Sequence, residues 1–101
     1  MVYLMMDKHG DVNLVKVGRA SHIQQRRASY RTHNPLAIMR SSCAGTSNAE
    51  QQCHEKLNQV GKRIPRTEWW IVPEEVFKKL YKEGMGYFFP KHQPIHFNEE
   101  F

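Results

Sequence analysis

Glu50 lies three and four residues before Cys53 and His54 and seven before Leu57. On a helix that spacing sets its carboxylate beside the apolar stripe formed by Ala49, Cys53 and Leu57. From there a carboxylate facing a cleft can hold a divalent cation through hard oxygen ligands; in an ordinary first helical turn it only complements the helix dipole. Arg26 follows Ile23 by three residues and precedes Tyr30 by four, so it is expected on the inward edge of its own helix, and Arg27 shares that geometry. A guanidinium in that place either grips phosphate in a cleft or lays its stem along the core with its head in water. His54 reads either as a core-edge histidine with a hydrogen-bond partner or as a ligand. Cys43, Cys53, His54 and His33 match no common zinc spacing, and the two cysteines fit neither a disulfide framework nor a paired CxxC pattern, so free thiols are expected. Trp69 and Trp70 read as core and core-edge residues, and an exposed indole there could stack on a base.

These residues need elements to position them. Val2–Met6 and Leu14–Gly18 are short apolar runs separated by the turn chemistry of Asp7, Lys8, His9, Gly10 and Asp11, which predicts a β-hairpin. With the turn centred near His9 and Gly10, facing residues have numbers summing to about 19 or 20, which puts Tyr3 opposite or diagonal to Lys16. A helix is expected from an N-cap at Ser21 to Asn34-Pro35, where the proline forbids continuation. A third strand then covers Leu36–Ser42, followed by a loop, a helix from about Ala49 to Gln59 capped by Asn48, and the basic loop Gly61–Thr67. Pro73 suits the first turn of a last helix that Gly84 stops, with Val76, Phe77, Leu80 and Tyr81 on its buried face. The tail from Met85 to Phe101 shows no clean period and is expected to lack regular structure.

The chain has 101 residues, which suits one domain around one core. No apolar run approaches the roughly 20 residues of a membrane span, and the start lacks the features of a signal peptide, so a cytoplasmic protein without membrane contact is expected. Fifteen Lys and Arg against ten Asp and Glu give a net charge of +5, grouped at Arg26, Arg27 and Arg31, at Lys62, Arg63 and Arg66, and at Lys78, Lys79 and Lys82. Clustered cations of this kind attract nucleic acid by releasing counterions from phosphates, although the same runs serve as solvated helix faces.

In order and spacing these features resemble the GIY-YIG nuclease superfamily, in particular its short phage and bacterial branch in which lysine replaces the tyrosine of the second motif. Met1-Val2-Tyr3 stands where GIY would be and Lys16-Val17-Gly18 where YIG would be. Ile23-Gln24-Gln25-Arg26 with Thr32-His33-Asn34-Pro35 is similar to the arginine helix of that branch, Ala49-Glu50-Gln51-Gln52-Cys53-His54 to its glutamate helix, and Glu68-Trp69-Trp70 to its closing acidic-aromatic motif. The resemblance covers Val2 to Leu80. It implies an α+β fold, a small sheet of an N-terminal hairpin plus a third strand flanked by helices, with residues 1–84 as the nuclease domain and 85–101 as an aromatic tail belonging to it or extending it. It further implies one-metal hydrolysis of DNA phosphodiesters with Mg2+ or Mn2+. Tyr3 would be the base or the positioner of water, Lys16 its cationic neighbour, Arg26 the phosphate clamp, Glu50 the metal ligand and His54 a further member of the site. Lys16, Arg19, Arg27, Arg31, Lys62 and Arg63 would contact nucleic acid, and a homodimer or the loops would have to supply sequence specificity. The other readings are a catalytically inactive nucleic-acid-binding module and a protein-interaction module, such as an inhibitor, with the tail as its contact surface.

Overall fold

The computed structural model describes all residues from Met1 to Phe101. Strands β1 (Val2–His9) and β2 (Val12–Arg19) form the expected hairpin, followed by helix α1 (Ile23–His33), strand β3 (Ile38–Cys43), helix α2 (Ser47–Val60), strands β4 (Lys62–Arg63) and β5 (Trp70–Val72), helix α3 (Glu74–Glu83) and a last short strand β6 (Ile95–His96). All strands join one six-stranded sheet in the order β4-β5-β2-β1-β3-β6, and every pairing is antiparallel. The fold is therefore α+β, a small sheet flanked by helices. No helix is long and apolar enough to cross a membrane.

The hairpin register differs by one residue from the expected one. Gly10 takes a φ of 60° at the first central position of the two-residue turn between His9 and Val12, a conformation that glycine adopts without a steric penalty. The turn therefore centres on Gly10 and Asp11. Tyr3 pairs with Gly18 and Met5 with Lys16, so Lys16 is the diagonal neighbour of Tyr3.

Alternation along β1 divides the core in two. Val2, Leu4, Met6, Val15 and Val17 pack with Cys53 and Leu57 of α2 and Phe77 and Leu80 of α3. Tyr3, Met5, Met39 and Phe97 form a smaller core on the opposite face, against Ile23 and Tyr30 of α1 and against Trp69. The faces follow from the helices' sequences: α3 presents a clear apolar ridge, whereas α1 buries none of its residues fully.

Several boundaries move for local reasons. Helix α1 begins at Ile23 after His22, and α2 begins at Ser47 after Thr46, two residues before the expected start, in both cases without a side-chain cap. Pro73 precedes α3 as its cap residue, and Gly84 ends it at a φ of 58°. Two residues of the basic loop, Lys62 and Arg63, pair as an edge strand with β5. The tail is irregular except at two points: Gly84–Tyr87 form a 3-10 turn, and Ile95 and His96 pair with Ser42 and Ser41. Both cysteines are free and buried, and burial pushes the Cys53 thiol up to about 12.

Candidate active site

The face carrying α1 brings Tyr3, Lys16, Tyr30 and Glu68 together. Tyr3 and Gly18 lie on adjacent strands, and a Cβ on Gly18 would stand 2.6 Å from Cζ of Tyr3, so glycine is what lets the ring lie flat across the hairpin. The Tyr3 hydroxyl shares a 3.2 Å hydrogen bond with that of Tyr30, and the two rings meet edge to face at 6.0 Å. Lys16 Nζ lies over the Tyr30 ring, 5.1 Å from its centroid, and 2.9 Å from Glu68 Oε2. The Tyr30 ring and the Glu68 carboxylate thus flank one ammonium.

Ionisation follows from these contacts. Burial, then the hydrogen bond and charge of Tyr30, hold the Tyr3 phenol well above its ordinary range, and only Arg26 pulls it down. Burial opposes the charge on Lys16, yet its contacts with Tyr30 and Glu68 outweigh that and hold its ammonium above the ordinary lysine value. Glu68 is held low, first by its bond to Lys16 and then by the charges of Lys16, His54 and Arg63. The expected pairing of Lys16 with a Tyr3 phenolate is therefore not what the free protein contains. Lys16 serves Tyr30 and Glu68, and Tyr3 is a neutral phenol, 2% exposed.

Arg26 and Arg27 are both expected on the inward edge of α1, and only Arg27 lies there. Arg26 is exposed, on the wall of a cleft of about 390 Å³ that Met1, Arg19, Ala20, Ser21 and Gly45 complete. Arg27 is the inward residue, its guanidinium bound to Glu99 and stacked on Phe97. Arg31 reaches the same carboxylate at 3.8 Å. Three apolar or aromatic positions in α1, Ile23, Ala28 and Tyr30, are too few for helical periodicity to decide which arginine faces the sheet.

Glu50 stands in the first turn of α2, half-buried, with no ion-pair partner. Its neighbour Ala49 closes on Gly45 of the arginine cleft, where a Cβ on Gly45 would lie 2.9 Å from that of Ala49. No hydrogen bond joins Glu50 to Tyr3, Lys16 or Arg26. His54 Nε2 donates to the Val17 carbonyl at 2.8 Å, and its ring lies 4.9 Å from that of Trp70, so it ties α2 to β2. No three His, Cys, Asp or Glu side chains converge. Glu50 therefore offers a single hard carboxylate, which suits magnesium or manganese completed by water and phosphate oxygens and does not suit zinc. Lys62 and Arg63 lie on the edge strand β4. Arg63 donates to the Thr67 carbonyl at 2.8 Å and lies against Trp70, and Lys62 is exposed.

Sequence patterning does not mark two residues of the cluster as site residues. Tyr30 reads as a periodic apolar position, and Glu68 as part of a closing motif. Only the docking of α1 and of the segment before β5 onto the hairpin shows them facing Lys16.

A model of the T5orf172 domain matches residues 1–84, which takes in every residue of this cluster and of the arginine cleft. No curated protein and no solved structure matches the chain. The T5orf172 domain is associated with nuclease-related proteins and suggests a nuclease-like or DNA-binding role. The match extends over most of the chain, and the protein belongs to the T5orf172 domain family.

Proposed function

We propose that this chain is a metal-dependent endonuclease of the GIY-YIG type that hydrolyses DNA phosphodiester bonds. The observation that carries this reading is the chain of contacts from the Tyr3 phenol, packed over Gly18 and within the electrostatic reach of Arg26, through its hydrogen bond to the Tyr30 phenol, to the Lys16 ammonium over the Tyr30 ring. A helix, a hairpin and a loop each contribute polar groups there, and a purely structural contact of that kind would be served more cheaply by apolar side chains.

Arg26, exposed on its cleft, takes the scissile phosphate in a bidentate grip and stabilises the charge that grows on it as a fifth oxygen approaches phosphorus. Glu50 would hold the magnesium or manganese ion, which when bound supplies further positive charge at that phosphate. Tyr3 and Tyr30 act as a unit: Tyr30 is the outer phenol and orients the attacking water, while the enclosed Tyr3 fixes the Tyr30 hydroxyl. The water oxygen bonds to phosphorus as the P–O bond to the leaving sugar oxygen breaks, its proton passing to solvent water and the leaving oxygen taking one from solvent. Lys16, already neutralised by Glu68, holds Tyr30 rather than the phosphate.

Nicking of plasmid, single-stranded and branched DNA with and without magnesium tests the reading. Magnesium-dependent cleavage that disappears in Glu50→Gln with DNA binding retained is the expected result, and equal cleavage by Glu50→Gln overturns the metal assignment. The 2% exposure of Tyr3 favours a second reading, a DNA-binding module without chemistry. Binding that falls steeply with salt, with no magnesium-dependent nicking on any substrate, would establish that one instead.

A further inference from the structure

Helix α1 carries Arg26 and Tyr30, yet it buries none of its residues fully, so apolar packing alone holds it weakly. Its inward side is occupied instead by the end of the chain. Phe97 is buried in the smaller core with the Arg27 guanidinium 4.4 Å from its ring centroid. Arg27 Nε donates to Glu99 Oε2, and Arg31, one turn further on, approaches Oε1 of the same carboxylate. The Arg27 and Glu99 side chains are 19% and 13% exposed, so water screens their attraction little. The tail is itself locked in place. The β1–β3 pairing skips Arg40, because Leu4 faces Ser41 and Met5 faces Met39. Arg40 Nη1 donates to the Glu99 carbonyl at 3.0 Å and Nε to the Tyr81 carbonyl at 2.8 Å, while the Phe97 N–H donates to the Arg40 carbonyl at 3.0 Å.

We propose that the segment Ile95–Glu99, which lies beyond the part of the chain that matches the family, is the seat that fixes the rotation of α1, with Glu99 as a positioning residue for Arg26 and Tyr30. Residues four apart share one ridge of a helix, and successive residues are turned by about 100°. Arg27 and Arg31 form the ridge that Glu99 grips. Arg26 and Tyr30 form the adjacent ridge, which faces the cleft and Tyr3. A hold on the first ridge therefore sets the angle of the second, which neither Ile23 nor the single Tyr3–Tyr30 bond fixes alone. This role rests on the nuclease reading of Arg26 and Tyr30. The opposite role, a carboxylate that masks arginines from phosphate, would give the opposite kinetic result.

The test uses the full chain with Glu99→Ala and with the charge exchange Arg27→Glu/Glu99→Arg, read by amide hydrogen exchange and by magnesium-dependent nicking. In Glu99→Ala, exchange in α1 should speed about tenfold while α2 and α3 keep wild-type protection. Its kcat should fall about tenfold with KM within about twofold, because the groups are displaced rather than removed. The charge exchange should return both readouts toward wild type. Unchanged exchange in α1, equal loosening of all three helices, selective loosening with unchanged kcat, or a gain in affinity and activity would each overturn the proposal. A wild type that nicks no DNA would refute the nuclease reading, and exchange in α1 would still decide whether Glu99 seats the helix. A wild type that nicks, with Glu99→Ala equal to it in both readouts, would refute the seat alone.

Discussion

The Tyr3 ring lies over the α-carbon of Gly18, its partner across the first hairpin, in a space that a single methyl group would fill. The ring has nowhere to retreat, since Tyr30 meets its edge and the residue is almost fully buried. Gly18→Ala should therefore cost about 1–3 kcal/mol of stability, the usual cost of overpacking a tight site. It should also lower kcat by separating the two hydroxyls. Denaturant unfolding and nicking kinetics on the same preparation check both parts, and a variant wild-type in both would show that the ring adjusts freely.

Arg26 and Arg27 are neighbours in sequence with opposite expected phenotypes. Arg26 is exposed and makes no ion pair, so Arg26→Ala should leave the melting temperature nearly unchanged and remove most of the turnover. Arg27→Ala leaves Glu99 largely buried without its main partner. The expected loss is about 1–3 kcal/mol, less than for a fully enclosed pair because Arg31 and water remain within reach. Thermal unfolding with single-turnover cleavage separates the two, and a stability loss confined to Arg26→Ala would reverse the assignment.

What could be read from the sequence divides along the range of the interactions involved. The hairpin, the α1-to-β3 transition at Asn34-Pro35 and the stripe of Ala49, Cys53 and Leu57 are set by alternation, proline and helical periodicity within a dozen residues, and the fold reproduces them. The register slipped by one because it turns on the φ of Gly10 alone. The tail escaped because its order comes from distant partners: Ile95 pairs with Ser42, Glu99 meets Arg27, and Arg40 binds the Glu99 carbonyl. The site residues show the same division. Tyr3, Lys16 and Glu50 stand in local motifs, whereas the contacts of Tyr30 and Glu68 with Lys16 exist only after three separate elements have docked.

The raised Tyr3 phenol makes a prediction at alkaline pH. Its folded value lies above the ordinary tyrosine value of 10.0 because burial disfavours the phenolate. The unfolded chain thus releases this proton before the folded chain does. The stabilisation is complete below about pH 10 and is lost as pH rises toward the folded value. Lys16, also raised, acts in the same direction and over the same range. Tyr3→Phe should show a shallower decline in stability above pH 10 than the wild type, apart from any change in its stability at neutral pH. Urea unfolding at a series of pH values measures the slopes, and parallel slopes would mean that Tyr3 ionises normally in the fold.

Lys16 and Lys62 separate an ammonium that builds the site from one that meets the backbone of DNA. The Lys16 side chain is 14% exposed and its charge is already matched by Glu68, so its removal releases few counterions from bound DNA. Lys62 is exposed on the sheet edge and has no ion-pair partner. Lys16→Met should therefore lower kcat strongly by freeing Tyr30, with affinity and its salt dependence nearly unchanged. Lys62→Ala should do the reverse, weakening binding and reducing the slope of log affinity against log salt by about one, as expected for one lost phosphate contact. The Lys16–Glu68 pair adds a condition on pH. Lys16 holds the carboxyl of Glu68 below its ordinary value of 4.5, so the pair is intact above that value and is lost as pH falls through the folded one. With Glu68 71% exposed, its loss should barely change stability. Binding isotherms over a range of salt concentrations, alongside kcat for each variant at neutral pH, decide the matter. A lowered salt slope in Lys16→Met with kcat preserved would make Lys16 a phosphate contact and leave Tyr30 without its cation.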